Sequence, residues 1–178
     1  MAGQPGGAIF EPVVLRLRDG REVTVRAVCD EDKAAFSEAF QRLSADARYS
    51  RFMAPMRELP SALLETAIHP RGERDLALVA VVSEGAAQSI VGGARYVANP
   101  AGEDCEFAVT LADDWHGLGL ARQLMELLIA AARERSLRSM EGYILTSNAA
   151  MRGLARRLGF VDMPMADDPT VRLVRLPL

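Results

Sequence analysis

A glycine-containing loop, about two-thirds of the way along the chain, combines residue types and spacing that can bind phosphate. Gly117 and Gly119 stand in the loop 115–121, after a strand-like segment at 106–111 and before a long amphipathic run at 122–135. The first N–H groups of a helix have no partner within the helix, and the helix dipole adds partial positive charge there. The sequence therefore predicts an anion site for a phosphorylated ligand at the start of this helix.

The glycine spacing excludes two common phosphate-binding motifs. A Walker loop requires Gly-Lys-Ser/Thr after its first glycine and four further residues, and no lysine follows Gly119. A dinucleotide-binding fingerprint requires a third glycine where this chain has Arg122, and it belongs near the start of a repeating βαβ fold. With these two motifs excluded, the segment fits a loop of the form x-x-Gly-x-Gly/Ala that follows a strand.

Glu106 is a candidate catalytic residue, because it is a lone charge beside apolar strand residues. Alternation along the predicted strand places Glu106, Ala108 and Thr110 on one face and the side chains at 107, 109 and 111 on the other. A carboxylate in that position can line a cleft and accept a proton. The alternative is a solvated carboxylate at a strand end, and Glu103 and Asp104 are similar candidates.

The elements that must position these residues follow from periodicity and turn signals. Two short strands flank Asp19-Gly20 and predict a hairpin. Further strands are predicted at 76–82, 89–97, 103–111, 139–146 and 171–176, and helices at 30–43, after Pro60, at 122–135 and at 148–158. The segment 46–56 has no clear assignment. Strands first, then alternating strands and helices, indicate an α/β fold with a mixed sheet and helices on both faces.

Composition indicates an ordinary globular protein. The 178 residues are 49% hydrophobic and 25% charged, with a formal charge of −3 that does not favour nucleic acid. Cys29 and Cys105 have no metal-ligand spacing, so we expect no metal. No apolar run is long enough to span a bilayer, and residues 1–8 do not resemble a signal peptide. We therefore expect a cytoplasmic protein without membrane partners, with a flexible tail at 1–12 and one domain at 13–178.

Three motifs together resemble the GNAT N-acetyltransferase superfamily. The segment 113–125 resembles its acetyl-CoA pyrophosphate loop, Gln/Arg-x-x-Gly-x-Gly/Ala, and Asn148 followed by Leu158-Gly159-Phe160 resembles its second signature. The segments 17–20, 23–26 and 106–109 are similar to the branch that contains bacterial protein lysine acetyltransferases. The resemblance covers roughly residues 13–178. It implies a mixed, mostly antiparallel sheet of about six to seven strands flanked by about four helices.

The resemblance also implies which residues bind acetyl-CoA as co-substrate. They are Val109, Thr110, Leu111, His116, Gly117, Leu118, Gly119, Leu120, Ala121, Arg122 and Asn148. The loop would bind the pyrophosphate through backbone N–H groups, and residues 109–111 would offer main-chain groups to the pantetheine if their strand separates from its neighbour. His116 stands where the family usually has Gln or Arg, and a neutral histidine adds no fixed positive charge. Asn148 fits both a helix cap and a pantetheine contact.

In this branch a glutamate at the position of Glu106 is a general base. Acyl transfer needs a neutral amine, whereas the lysine side chain has a pKa of about 10.4, so a carboxylate that accepts the proton favours the reaction. The tyrosine that many members use as general acid corresponds to Ala155. Tyr143 on the preceding strand is a substitute or a packed strand residue, and no acid is assigned.

The resemblance therefore implies an N-acetyltransferase that transfers acetyl directly to an amine. The expected acceptor is a lysine side chain of a protein, such as an acyl-CoA synthetase. Two alternatives stay open: a small-molecule amine N-acetyltransferase, and a catalytically weak acyl-CoA-binding or sensor module. We expect a monomer or a homodimer.

Overall fold

A single mixed sheet of eight strands organises the part of the chain that the computed structural model describes, residues 9–70 and 74–178. The strands are β1 (Val13–Arg16), β2 (Glu22–Ala27), β3 (Leu76–Glu84), β4 (Ala87–Ala98), β5 (Asp104–Leu111), β6 (Ser139–Leu145), β7 (Val161–Pro164) and β8 (Val171–Pro177). Their order across the sheet is β1-β2-β3-β4-β5-β6-β8-β7. Only β5 and β6 pair in parallel, so the sheet is mostly antiparallel as predicted.

Helices cover both faces of the sheet. Within the described residues they are α1 (Lys33–Arg42), α2 (Ala45–Phe52), α3 (Ser61–Ile68), α4 (Leu120–Glu134) and α5 (Ala149–Arg157). The helix α4 buries Leu120, Leu124 and Leu128, spaced about one turn apart, in the main core. Phe36 and Ala39 of α1 pack on the opposite face. The predicted arrangement of helices on both faces is confirmed.

Two elements differ from the sequence-based expectation, which underestimated both counts. The sheet has eight strands instead of six to seven, because the short β7 pairs with β8. Residues 9–70 and 74–178 form five α-helices instead of about four, because residues 45–52 form α2. The segment is short, four of its eight residues are polar and none is fully buried, so it carries few of the apolar residues from which a helix is predicted. Ser44 caps α2 by accepting a hydrogen bond from the Ala47 N–H at 3.1 Å.

The expected N-terminal tail falls only partly within the described chain. Residues 1–8 lie outside the described residues, and residues 9–12 form neither helix nor strand. In the described ranges, every helix is too short or too polar to cross a membrane.

The sheet splits between β5 and β6. Residues 104–106 pair with residues 139–141, and the register ends there. The Phe107 ring fills the space beyond: a Cβ atom added to Gly142 would lie only 2.4 Å from its Cε1 atom. The same ring packs edge-to-face on Phe160 at 5.3 Å. An aromatic side chain on one strand and a glycine on the other thus accompany the point where the strands separate.

Candidate active site

A cleft of about 750 Å³ opens where β5 and β6 separate. Its walls come from β5, the loop and first turn of α4, the helix α2, β6 and the start of α5. The cleft therefore joins segments that are far apart in sequence. It contains every residue predicted to contact acetyl-CoA except Leu118, whose side chain packs against the main core.

The glycine loop ends at the N-terminus of α4, as predicted. Gly117 and Gly119 have φ angles of +76° and +87°, a left-handed conformation that favours glycine. Gly119 is the N-cap residue, and its carbonyl accepts the N–H of Gln123 at 3.2 Å. The N–H groups of residues 120–122 precede the first intrahelical bond, and these residues line the cleft. This end of the cleft can therefore bind an anion.

Arginine side chains bring positive charge to the cleft. Arg18, in the turn after β1, donates its backbone N–H to the Leu118 carbonyl at 3.1 Å. Its side chain lies against Gly119, since a Cβ atom there would be 3.6 Å from Arg18 Nε. Arg122 and Arg157 also line the cleft. Local sequence patterns did not predict that Arg18 contacts this loop, because the two segments are far apart along the chain.

The β5 edge beyond Glu106 faces the cleft without a β6 partner. Val109, Thr110 and Leu111 all line the cleft, and the pairing of β5 with β6 ends before them. The strands β5 and β6 are therefore separated at residues 109–111, as main-chain contacts to a pantetheine would require.

Asn148 caps α5 and also lines the cleft. Its Oδ1 atom accepts a hydrogen bond from the Met151 N–H at 3.1 Å, so the capping interpretation is correct. The residue is nevertheless one of the cleft-lining residues, so the cap does not remove it from the site.

Among the three neighbouring carboxylates, Glu106 is the one that lines the cleft. Glu103 forms an ion pair with Arg138 at 3.3 Å. Asp104 accepts a hydrogen bond from Ser139 Oγ at 2.7 Å and lies 3.6 Å from Arg175 Nη2. The structure thus places only the predicted candidate where a ligand in the cleft could reach it.

The neighbours of Glu106 change the proton affinity of its carboxyl. Partial burial and then the negative charge of Glu141 raise the pKa of Glu106 above its ordinary value. Arg51 and Arg95 act in the opposite direction. A carboxylate with a raised pKa is a stronger base than a free glutamate.

The two positions considered for a general acid have different environments. Ala155 is buried in the main core at 1% exposure. Tyr143 lines the cleft and is 39% exposed, so it is not a packed core residue. Partial burial, Glu141 and Glu106 together raise the pKa of the Tyr143 hydroxyl, which keeps its proton at neutral pH.

Comparisons with known proteins agree with this geometry. Residues 22–161 match the Acetyltransferase (GNAT) domain. An acetyltransferase of Pseudomonas aeruginosa is 39% identical over 162 residues, which cover 91% of this chain and 87% of the relative. Acetyltransferase Pat of Mycolicibacterium smegmatis is 31% identical over 164 residues and 90% of this chain. The chain spans 48% of the length of that second relative.

A solved structure has the same fold. The crystal structure of the GNAT domain of S. lividans PAT superposes with a TM-score of 0.84 at 23% identity, covering 94% of this chain and 97% of that one. The split sheet, the glycine loop before α4 and the domain match over residues 22–161 therefore lead to one conclusion. The chain belongs to the GNAT acetyltransferase family.

Proposed function

We propose that this acetyltransferase transfers acetyl from acetyl-CoA to lysine side chains of proteins, with Glu106 as general base. The observation that carries the proposal is the position of Glu106, in the cleft at the split of the sheet. GNAT acetyltransferases use acetyl-CoA, and the loop 117–122 together with Arg18 offers donors and positive charge for its pyrophosphate.

The β5 edge positions the donor relative to Glu106. Residues 109–111 lie between the glycine loop and Glu106 along β5, and their strand has no β6 partner there. A pantetheine chain bonded to this edge would extend from the loop toward Glu106, because its amides pair with backbone groups as a strand does. The thioester would then lie near the carboxylate.

The acceptor side of Glu106 is open. Register places Glu106 on the same sheet face as Glu141, Tyr143, Leu173, Arg175 and Val161. None of these five side chains is buried, and Val161 is 58% exposed. On the opposite face Met140, Ile144 and Val174 are all buried. An open face beside the base can accept a lysine that projects from a folded protein, which a closed small-molecule pocket cannot.

Glu106 accepts the amine proton, directly or through one water, as the nitrogen attacks the thioester carbonyl. The C–N bond forms and the C–S bond breaks, so the acetyl group moves to nitrogen and the thiolate of CoA leaves. Fewer than about one lysine amine in 10³ is neutral at pH 7, and a positioned base offsets that handicap. Tyr143 is the candidate to protonate the thiolate, since it lines the same cleft and keeps its proton.

The role of Glu106 is tested by Glu106→Gln, which keeps the side-chain shape and removes the proton acceptor. We expect unchanged acetyl-CoA affinity and a turnover number near pH 7 that falls by ~10²–10⁴. Raising the pH should recover part of the loss, because more acceptor amine is then neutral. Glu103→Gln is the matched control, because Glu103 is ion-paired with Arg138 and does not line the cleft. Wild-type turnover in Glu106→Gln would disprove the base.

The acceptor class is tested with labelled acetyl-CoA and cell lysate. We expect acid-stable label on a few lysines, mapped by mass spectrometry, and weak competition by free polyamines or amino acids. Rapid acetylation of a small amine, without labelled protein, would replace this proposal by a small-molecule N-acetyltransferase. Binding of acetyl-CoA without turnover of any amine would indicate a sensor module.

A further inference from the structure

Two arginines from different elements lie close to Glu106 on the acceptor side. Arg51 is in the last turn of α2 and lines the cleft. Arg95 is on β4 directly opposite Ala108 of β5, so it shares a sheet face with Glu106. Both guanidinium groups act electrostatically on the Glu106 carboxylate, and both side chains are half-buried.

Behind these arginines lies a second cavity of about 190 Å³, between the helices α1–α3 and the sheet. Within the described chain, Arg51 and Arg95 are its only charged lining residues, and the other walls are almost entirely apolar. Arg51, Phe52, Ala108, Thr110 and Leu111 line both the cavity and the cleft. A group that enters the cleft at Glu106 can therefore reach the cavity past Arg51.

Glu106 and Asp75 act on the two guanidinium groups through electrostatic interactions. Among residues 9–70 and 74–178, neither has an ion-pair or hydrogen-bond partner, and Arg51 stacks over the Phe52 ring at 4.8 Å. Burial and the charge of Arg95 lower the pKa of Arg51 to about 10, and Glu106 opposes that shift. Arg95 also lies within electrostatic range of Asp75. A half-buried cation without a partner is costly, so an anionic ligand would stabilise this arrangement.

We propose that Arg51 and Arg95 bind a carboxylate that one of the two reactants brings to the cavity. The planar guanidinium group matches the two oxygens of a carboxylate, and an apolar cavity of this size accepts a short methylene chain. The carboxylate has two possible sources: the acyl group of a dicarboxylic acyl-CoA thioester, or an acidic side chain beside the acceptor lysine. The inference rests on the proposed function, because it assumes that both reactants meet at Glu106.

Calorimetric binding measurements at pH 8 distinguish the two sources. In the donor arm, succinyl-CoA is compared with butyryl-CoA, which has the same chain length and no charge. In the acceptor arm, a lysine peptide with a neighbouring glutamate is compared with its glutamine counterpart, each added to the protein saturated with CoA. We expect one carboxylate ligand to bind about 10- to 100-fold more tightly than its neutral counterpart, the usual value of a charge-assisted hydrogen bond.

Arg51→Met and Arg95→Met should each remove that preference, whereas Arg95→Lys should keep part of it because a charge remains. Arg133→Met is the matched control, since Arg133 is exposed on α4 and lines neither cavity nor cleft. Thermal unfolding shows whether each variant is folded; a methionine variant that is not folded is replaced by the lysine variant at the same position, which should lose only part of the preference. No preference in the wild type, or a preference that survives in both methionine variants, would overturn the inference. Absence of turnover with every amine would contradict the proposed function alone, because both arms measure binding.

Discussion

The pKa of the Glu106 carboxyl depends on side chains from three other elements. Glu141 on β6 raises it together with burial, and Arg51 on α2 and Arg95 on β4 lower it. Every one of these neighbours is more than ten residues away along the chain. The proton affinity of the candidate base is therefore a property of its environment, and single substitutions should shift it in predictable directions.

These directions can be tested in the pH dependence of kcat/KM. The base must be deprotonated, so activity should fall on the acid side with a midpoint above about 4.3, the ordinary value for glutamate. Glu141→Gln removes a negative charge and should move that midpoint to lower pH. Arg51→Met removes a positive charge and should move it to higher pH. Glu84→Gln is the control, because Glu84 lies at the exposed end of β3, and it should leave the pH profile unchanged. The same midpoint in all variants would show that Glu106 does not control the loss of activity at acid pH.

At the scale of elements, the Phe107 ring packs at the point where β5 separates from β6. Its ring occupies the place where a side chain at Gly142 would lie, and Phe160 supports the ring from the other side. Glycine inside a strand normally lowers stability by roughly 0.5–1 kcal/mol relative to alanine. The contact with Phe107 provides the reason for glycine at this position.

We predict that Gly142→Ala lowers the free energy of unfolding by about 1–3 kcal/mol, because the new Cβ atom overlaps the Phe107 ring. In a Phe107→Leu background the same substitution should cost much less, which a double-mutant cycle from urea denaturation would measure. Gly153→Ala is the control: its Cβ atom would contact only the end of the Arg157 side chain, so it should not destabilise α5. Equal costs of Gly142→Ala in both backgrounds would contradict the role of Phe107.

At the scale of the whole molecule, the donor end of the cleft joins the start of the chain to its second half. The turn after β1 contacts the glycine loop through the Arg18 N–H and the Leu118 carbonyl. Gln123 of α4 donates to the Arg16 carbonyl at 3.3 Å. These contacts hold the Arg18 guanidinium beside Gly119, where the loop presents its backbone N–H groups.

We expect Arg18→Met to weaken acetyl-CoA binding by about 10-fold or more, because a charge-assisted contact to phosphate is lost. Calorimetry at two salt concentrations should also show a smaller salt dependence in the variant than in the wild type. Arg16→Met is the control, since Arg16 is exposed, does not line the cleft and contacts α4 through its backbone. Equal loss of affinity in both variants would indicate a general charge effect instead of a site at the loop.

Local patterns in the sequence were sufficient to predict most elements and the residues that face the cleft from β5 and the loop. Alternation placed Glu106 opposite the apolar face of β5, and the glycine spacing predicted the start of α4, because both depend on neighbours along the chain. The helix α2 was missed because it is short and half of its residues are polar, and β7 was missed because four residues carry little pattern.

Contacts between distant segments could not be predicted from the sequence. Arg18 beside Gly119, Arg51 and Arg95 beside Glu106, and the exposed position of Tyr143 all depend on how distant strands and helices pack together. Periodicity identifies the face on which a side chain lies, but not the element that covers that face. Neighbours along the chain therefore predicted most of the elements and the glycine loop before α4, whereas the charges around Glu106 follow from strand order and helix packing, which no local pattern encodes.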